Sequence, residues 1–283
     1  MRVTKLTLCI IGIIPFCHYS SIYSTEQTPQ KIMIIGASSG IGRALALYYA
    51  TNDCQNTRCE IGLVGRRTRH LQSLQKEIPT KTYIKSIDIA EIKTATNKLT
   101  ELIDEMGGLD VCIITAGAYA TFDLKNEWKS TKKLIAVDVT GFANVVSIVM
   151  NYFEQQGHGH LVGITSVDAL RGIPEAPAYS AAKAYESIFL EGLRNRMVQK
   201  KLPIYVTEIM PGWVDVEHTT FSELPGTFWV SSTTEAAKQI YEAIQAKKKR
   251  AYITKRWVIV SWFMKFAPDW LFNWIQKKNN ESF

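Results

Sequence analysis

The chain has 283 residues, 46% hydrophobic and 21% charged, with a formal net charge of +7. That length and apolar content suit one folded domain with a substantial core and exclude a disulfide-stapled miniprotein or a disordered chain, while a mean hydropathy of −0.04 excludes a polytopic membrane protein. The cations are spread along the chain apart from Lys247, Lys248, Lys249 and Arg250, so no nucleic-acid partner is expected.

Residues 1–24 differ from the rest. Arg2 and Lys5 precede an apolar run over residues 6–16, broken by Thr7, Gly12 and Pro15, and Ser20, Ser21 and Ser24 supply small residues suited to a signal peptidase. The run falls short of the ~20 apolar residues that span a bilayer, so the segment reads as a signal peptide or N-terminal anchor, with an unstructured extension as the alternative. The cysteines, Cys9, Cys17, Cys54, Cys59 and Cys112, show neither C-x-x-C spacing nor a pair beside a histidine at a ligand-like interval. They suggest no metal and no disulfide framework, and reduced thiols are expected, although Cys54 and Cys59 are near enough in sequence to pair in a secreted chain.

From residue 31 to 255 short Ile/Val-rich runs alternate with longer amphipathic ones. A strand over residues 31–36 leads through Gly36-Ala37-Ser38-Ser39-Gly40-Ile41-Gly42 into a helix over 41–52. Glycines spaced G-x-x-x-G-x-G between a strand and a helix let the backbone approach a pyrophosphate, whose charge then faces the unpaired N–H groups of the helix start. The second strand, 60–65, ends in Gly65-Arg66-Arg67, where the adenosine ribose of a dinucleotide would lie. Arginine there suits a 2′-phosphate, whereas an acid would hold free hydroxyls, so NADP(H) is expected over NAD(H). After a helix over 68–77 and a strand over 82–87, Asp88 is placed to accept from an adenine amino group. A helix over 91–106, a strand over 111–115, one long helix over 127–155, a strand over 160–165, a helix over 178–200 and a strand over 203–210 follow. This alternation predicts a single α/β domain with a Rossmann-type, doubly wound parallel sheet, whose ligand lies at the carboxyl ends of the strands.

The helix over 178–200 carries Tyr179 and Lys183 one turn apart, and Ser166 stands 13 residues before the tyrosine, at a strand end. A phenol with a pKa near ~10 is a poor acid or base at neutral pH, but an ammonium one turn away favours the phenolate. Ser166 would hold the substrate oxygen.

On the glycine turn, Asp88-Ile89, Thr115-Ala116-Gly117, Ser166, Tyr179 with Lys183, and Pro211-Gly212-Trp213-Val214, the chain over about residues 31–255 resembles the short-chain dehydrogenase/reductase superfamily. The resemblance implies that Tyr179 exchanges a proton with the substrate oxygen, that Lys183 lowers its pKa and binds the nicotinamide ribose, that Ser166 orients the carbonyl, and that the backbone of Val214 meets the carboxamide. Three positions depart from the family pattern. Asp138 stands where an asparagine usually supplies a backbone carbonyl to a proton relay, and its carboxylate near Lys183 is expected to alter the tyrosine's pKa. Thr115 replaces a common asparagine, and Val216 a cofactor-contacting threonine.

The implied activity is NADP(H)-dependent interconversion of a carbonyl and an alcohol, with NADPH favouring reduction; Phe221, Phe228 and Trp229 in the loop over 213–231 suggest a bulky apolar ketone or aldehyde or, equally, pack that loop against the fold. The alternative is a catalytically idle NADP(H)-binding module that senses the cofactor or tethers a partner. Over residues 256–283, Trp257, Trp262, Trp270 and Trp274, with Phe263, Phe266 and Phe272, are framed by Lys255, Arg256, Lys265, Lys277 and Lys278, and Pro268 divides the segment into two short helices. That composition fits an interfacial segment on a membrane surface, or a helix covering the pocket or a homodimer or homotetramer interface. Both chain ends thus predict membrane association, with the catalytic domain facing a compartment that holds NADPH; a cytoplasmic protein is the alternative.

Overall fold

The structure is a computed structural model that describes residues 29–52, 54, 59–121, 125, 127–216 and 227–280. The expected signal or anchor over 1–24 and Phe221 lie outside the described residues.

The chain alternates β1 (Gln30–Ile35), α1 (Gly40–Asn52), β2 (Cys59–Gly65), α2 (Thr68–Glu77), β3 (Thr82–Ser86), α3 (Ile92–Met106) and β4 (Val111–Ile114). It continues through α4 (Glu127–Leu134), a π-helical turn (Ile135–Gly141), α5 (Phe142–Gln156), β5 (Gly159–Ile164), α6 (Pro177–Lys200) and β6 (Ile204–Pro211). The last elements are the two-residue strands β7 (Val214–Asp215) and β8 (Ser231–Ser232), α7 (Thr233–Gln245), β9 (Arg250–Ile253), α8 (Trp257–Phe266) and α9 (Asp269–Asn280). Among the described residues seven strands form one all-parallel sheet in the order β3-β2-β1-β4-β5-β6-β9. Both faces of the central strands β1, β4, β5 and β6 are covered, which is why they read as largely apolar runs, unlike the edge strands β3 and β9.

The two faces separate by side-chain parity. Ile32 and Ile34 of β1 point to a core shared with Leu45 and Tyr49 of α1, Leu71 of α2 and Ile240 of α7. Met33 and Ile35 point to the opposite core, with Leu99 of α3, Phe142 and Phe153 of α5, and Leu190 of α6. The sheet reverses direction between β1 and β4, and there the carboxyl ends of the strands diverge into a cleft.

Three expectations change. A seventh strand, β9, extends the sheet beyond the expected six; it is four residues long, follows a lysine run, and buries Ala251 and Ile253. The long helix expected over 127–155 is interrupted at Ile135–Gly141 by the π turn, because one extra residue is accommodated there in the middle of an apolar, otherwise helical run. Cys54 and Cys59 are joined in a disulfide, not left as reduced thiols, since the end of α1 and the start of β2 bring their Cα atoms to 4.7 Å. The cationic cluster is also tied into the fold: Arg250 donates from Nε to the buried Glu208 at 2.7 Å.

Candidate active site

The cleft at the sheet reversal has a volume of about 390 Å³. The residues expected to meet a cofactor at the first four strand ends all line it: Gly36, Ser38, Ser39, Gly40, Ile41 and Gly42 from the turn, Gly65 to Arg67, Asp88 and Ile89, and Thr115 to Gly117. Gly36 has φ +101°, and a Cβ on it would lie 2.4 Å from Thr115 Oγ1, so only glycine fits under β4. Thr115 in turn donates from its hydroxyl to the Ile35 carbonyl at 3.0 Å and keeps the two strand ends together. Arg67 reaches back over the turn, donating to Ser39 Oγ at 2.5 Å and Ser38 Oγ at 3.3 Å. Arg66, more exposed, faces Asp88 at 3.6 Å. Two guanidinium groups, two hydroxyls and the N-terminus of α1 therefore converge on one end of the cleft.

Behind the lining residues Gly117 to Tyr119 lies a buried charge knot on α6, whose side chains, like that of Ser166, are not themselves on the cleft lining. Tyr179, Lys183 and Glu186 recur along one helix face, and Asp138 approaches from the π turn. Lys183 Nζ donates to Asp138 Oδ1 at 3.1 Å and to Glu186 Oε1 at 2.9 Å, with all three side chains at most 5% exposed. Both oxygens of Asp138 also accept from the Ala118 amide, at 3.1 and 3.0 Å. The absence of a side chain at Gly117 makes this possible, since a Cβ there would lie 2.8 Å from Asp138 Oδ1 and 3.1 Å from Lys183 Nζ.

Electrostatics follow from that packing. Burial works against the ammonium of Lys183, but Glu186 and then Asp138 more than offset it, holding its pKa well above the ordinary lysine range. Burial pushes Glu186 up to about 8 despite Lys183, with Asp138 and Glu208 adding to the rise. The Tyr179 phenol is raised, chiefly by burial; Lys183 and a hydrogen bond with Ser166 act the other way, and Asp168 and Glu186 reinforce the rise. The lysine charge that would favour the phenolate is thus partly neutralised by its own two carboxylates.

Ser166 stands two residues after β5 and caps the short 3-10 helix Val167–Leu170, where its Oγ accepts from the Asp168 amide at 3.1 Å. Burial and the nearby Glu175 push Asp168 up to about 6. Tyr119 packs edge-on against Tyr179, with ring centroids 5.1 Å apart, and also lines the cleft, so it joins the two ends of the site. Sequence reasoning missed Tyr119 and Glu186. Glu186 had a legible signal, since it falls on the Tyr179–Lys183 helix face; Tyr119 lies in irregular chain after β4 and had none.

Pro211, Gly212 and Val214 are not on the cleft lining. The Gly212 amide donates to the Ile253 carbonyl at 2.6 Å, Trp257 packs directly over Gly212, and Val214 is buried in the core beside α7. Val216 does line the cleft.

The family model for short chain dehydrogenases matches residues 30–224. An uncharacterised oxidoreductase of Myxococcus xanthus is 32% identical over 207 residues, covering 72% of this chain and 79% of that protein. Another from Mycobacterium tuberculosis is 31% identical over 237 residues, covering 81% and 90%. Among solved structures, acetoin dehydrogenase from Salmonella typhimurium superposes with a TM-score of 0.68 at 22% identity over 80% of this chain and 94% of that one. A short-chain dehydrogenase from Sphingobium yanoikuyae, solved with NADPH, gives 0.68 at 20% identity over 82% and 92%.

Proposed function

The chain belongs to the short-chain dehydrogenase family, and from that premise we propose that it is an NADP(H)-dependent oxidoreductase that interconverts a carbonyl compound and an alcohol. The observation that supports this reading is that the cation-ended cleft adjoins Lys183 at Gly117 and Tyr179 at Tyr119, with Ser166 hydrogen-bonded to Tyr179.

The cleft suits a dinucleotide. Its volume of about 390 Å³ falls within the usual range for ligand sites, its turn starts helix α1, and Arg67, Ser38 and Ser39 form a donor set matched to a phosphate. Arg66 and Arg67 favour the 2′-phosphate of NADP(H), and the Sphingobium enzyme of the same fold was solved with NADPH. When bound, the nicotinamide supplies or accepts the hydride.

In reduction, the Ser166 hydroxyl donates to the carbonyl oxygen and holds it beside Tyr179. Tyr179 then gives its proton to that oxygen as negative charge develops. Lys183 stabilises the phenolate left behind. Because burial, reinforced by Asp168 and Glu186, keeps the phenol protonated at neutral pH, the resting site is poised as an acid, which suits reduction over oxidation. A bulky apolar ketone or aldehyde is proposed as the substrate on the aromatic composition of the loop over 213–231; Phe228 and Trp229 themselves pack on Arg256 and Trp257 and not on the cleft lining.

Tyr179→Phe tests the assignment. Turnover is expected to fall by roughly 10²- to 10⁴-fold while NADPH binding, followed by fluorescence titration, stays near wild type. A variant that keeps a tenth or more of the wild-type rate refutes the role given to the phenol.

A further inference from the structure

Helices α8 and α9 carry an exposed apolar ridge. Val258, Ile259, Trp262 and Phe266 recur on one side of α8, and Trp270 and Trp274, one turn apart, are exposed on α9, with exposures from 49% at Val258 to 76% at Ile259. Exposed apolar surface on this scale calls for an occupant.

The ridge is held outward by a fixed scaffold. Trp257 and Met264 are buried with Val167 and Met210, so α8 packs on the segment that follows Ser166. Arg171, in that same segment, fastens the corner between the helices: it donates to the carbonyls of Met264 and Ala267, pairs with Asp269, and lies 4.2 Å from the Phe272 ring centroid. The aromatic face is therefore presented by a clamped corner and not by a trailing end.

Charge selects among occupants. Lys255, Lys265 and Lys277 are exposed around the ridge, and Asp269, the one acid over residues 255–280, is already paired with Arg171. A second copy meeting this face about a twofold axis would set these cations against their own kind. An anionic bilayer surface suits this composition: acyl chains take the aromatic and aliphatic side chains, and negative headgroups attract the lysines.

We propose that the α8–α9 ridge is a docking surface for anionic membranes, lying in the headgroup layer with Trp262, Trp270 and Trp274 as its anchors. Because Arg171 ties the ridge to the segment after Ser166, docking fixes the catalytic loop relative to the lipid.

The test uses the full chain with phosphatidylcholine vesicles, with and without phosphatidylglycerol. Wild type is expected to sediment with the anionic vesicles and to have its tryptophan emission quenched by brominated phosphatidylcholine included in them. Replacing Trp262, Trp270 and Trp274 together by Ser is expected to weaken sedimentation by roughly tenfold or more, with the thermal midpoint unchanged. Residues 1–24 are present in both proteins, so their own affinity cancels from the comparison. Lys265→Glu with Lys277→Glu is expected to weaken binding to the anionic vesicles and leave binding to neutral ones unchanged, a second readout should the tryptophan variant fold poorly. Unchanged sedimentation of the tryptophan variant, equal binding of wild type to neutral and anionic vesicles, or a wild-type dimer that this variant converts to monomer without any vesicle binding would each overturn the proposal.

Discussion

Arg66 and Lys183 are both cations at the carboxyl edge of one sheet, yet their surroundings differ. The Arg66 side chain is 60% exposed and its carboxylate neighbour, Asp88, lies 3.6 Å away; that of Lys183 is 5% exposed and wedged between Asp138 at 3.1 Å and Glu186 at 2.9 Å. Water screens the first pair, so Arg66 contributes little to the fold and remains available to an incoming anion. No water screens the second, so Lys183 cannot be removed without stranding two carboxylates. An exposed cation can be specialised for ligand choice at little structural cost, whereas a buried one is bound up with both the fold and the proton chemistry.

The contrast breaks most sharply at Lys183. Lys183→Met leaves Asp138 and Glu186 buried without their cation, so denaturant unfolding is expected to show a loss of about 3–5 kcal/mol, together with turnover lower by ~10²-fold or more. A variant as stable as wild type would mean that the three side chains do not form a buried unit.

Replacing Arg66 and Arg67 together by Ala is the matching experiment at the open end. NADPH affinity is expected to drop by about 1.5–3 kcal/mol, NADH affinity much less, and thermal stability hardly at all. Equal losses for the two cofactors would show that these arginines do not discriminate.

The smallest expected effect sharpens the comparison without breaking it. Glu186→Gln removes one negative charge beside Lys183, so the lysine lowers the Tyr179 pKa more effectively. The pH at which alcohol oxidation reaches half its maximum should fall, by about one unit or less, as read from initial rates across pH. The same group leaves a mark on stability. Its folded pKa is raised to about 8, so its contribution is fully present below the ordinary glutamate range and is lost as pH rises through 8. Unfolding free energy of wild type should decline across that window with a slope of at most ~1.4 kcal/mol per pH unit, and the decline should be weaker in Glu186→Gln.

How much of this was legible in the sequence varies with the physics of each element. Strands buried on both faces announce themselves as apolar runs, so β1, β2, β4, β5 and β6 were legible, and the glycine turn followed because a left-handed Gly36 leaves a spacing signature. The edge strand β9 did not, because half of its four residues face outward and lysines precede it. Helical period places Tyr179, Lys183 and Glu186 on one face, whereas the burial of Asp138 against Lys183 depends on the π turn, which no periodicity encodes and which only the family resemblance pointed to. The division at Pro268 into α8 and α9 was legible because proline cannot continue a helix, while the clamp by Arg171, nearly a hundred residues earlier, was not.

The central claim, that the open cleft and the buried knot together make a working carbonyl reductase, is tested most directly by following NADPH absorbance while the full chain is presented with ketones and aldehydes graded in size. The expected result is cofactor oxidation that depends on the carbonyl compound and strengthens towards bulky apolar members of the series. Tight NADPH binding with no oxidation across the whole series would contradict the account and leave a cofactor-binding module without turnover.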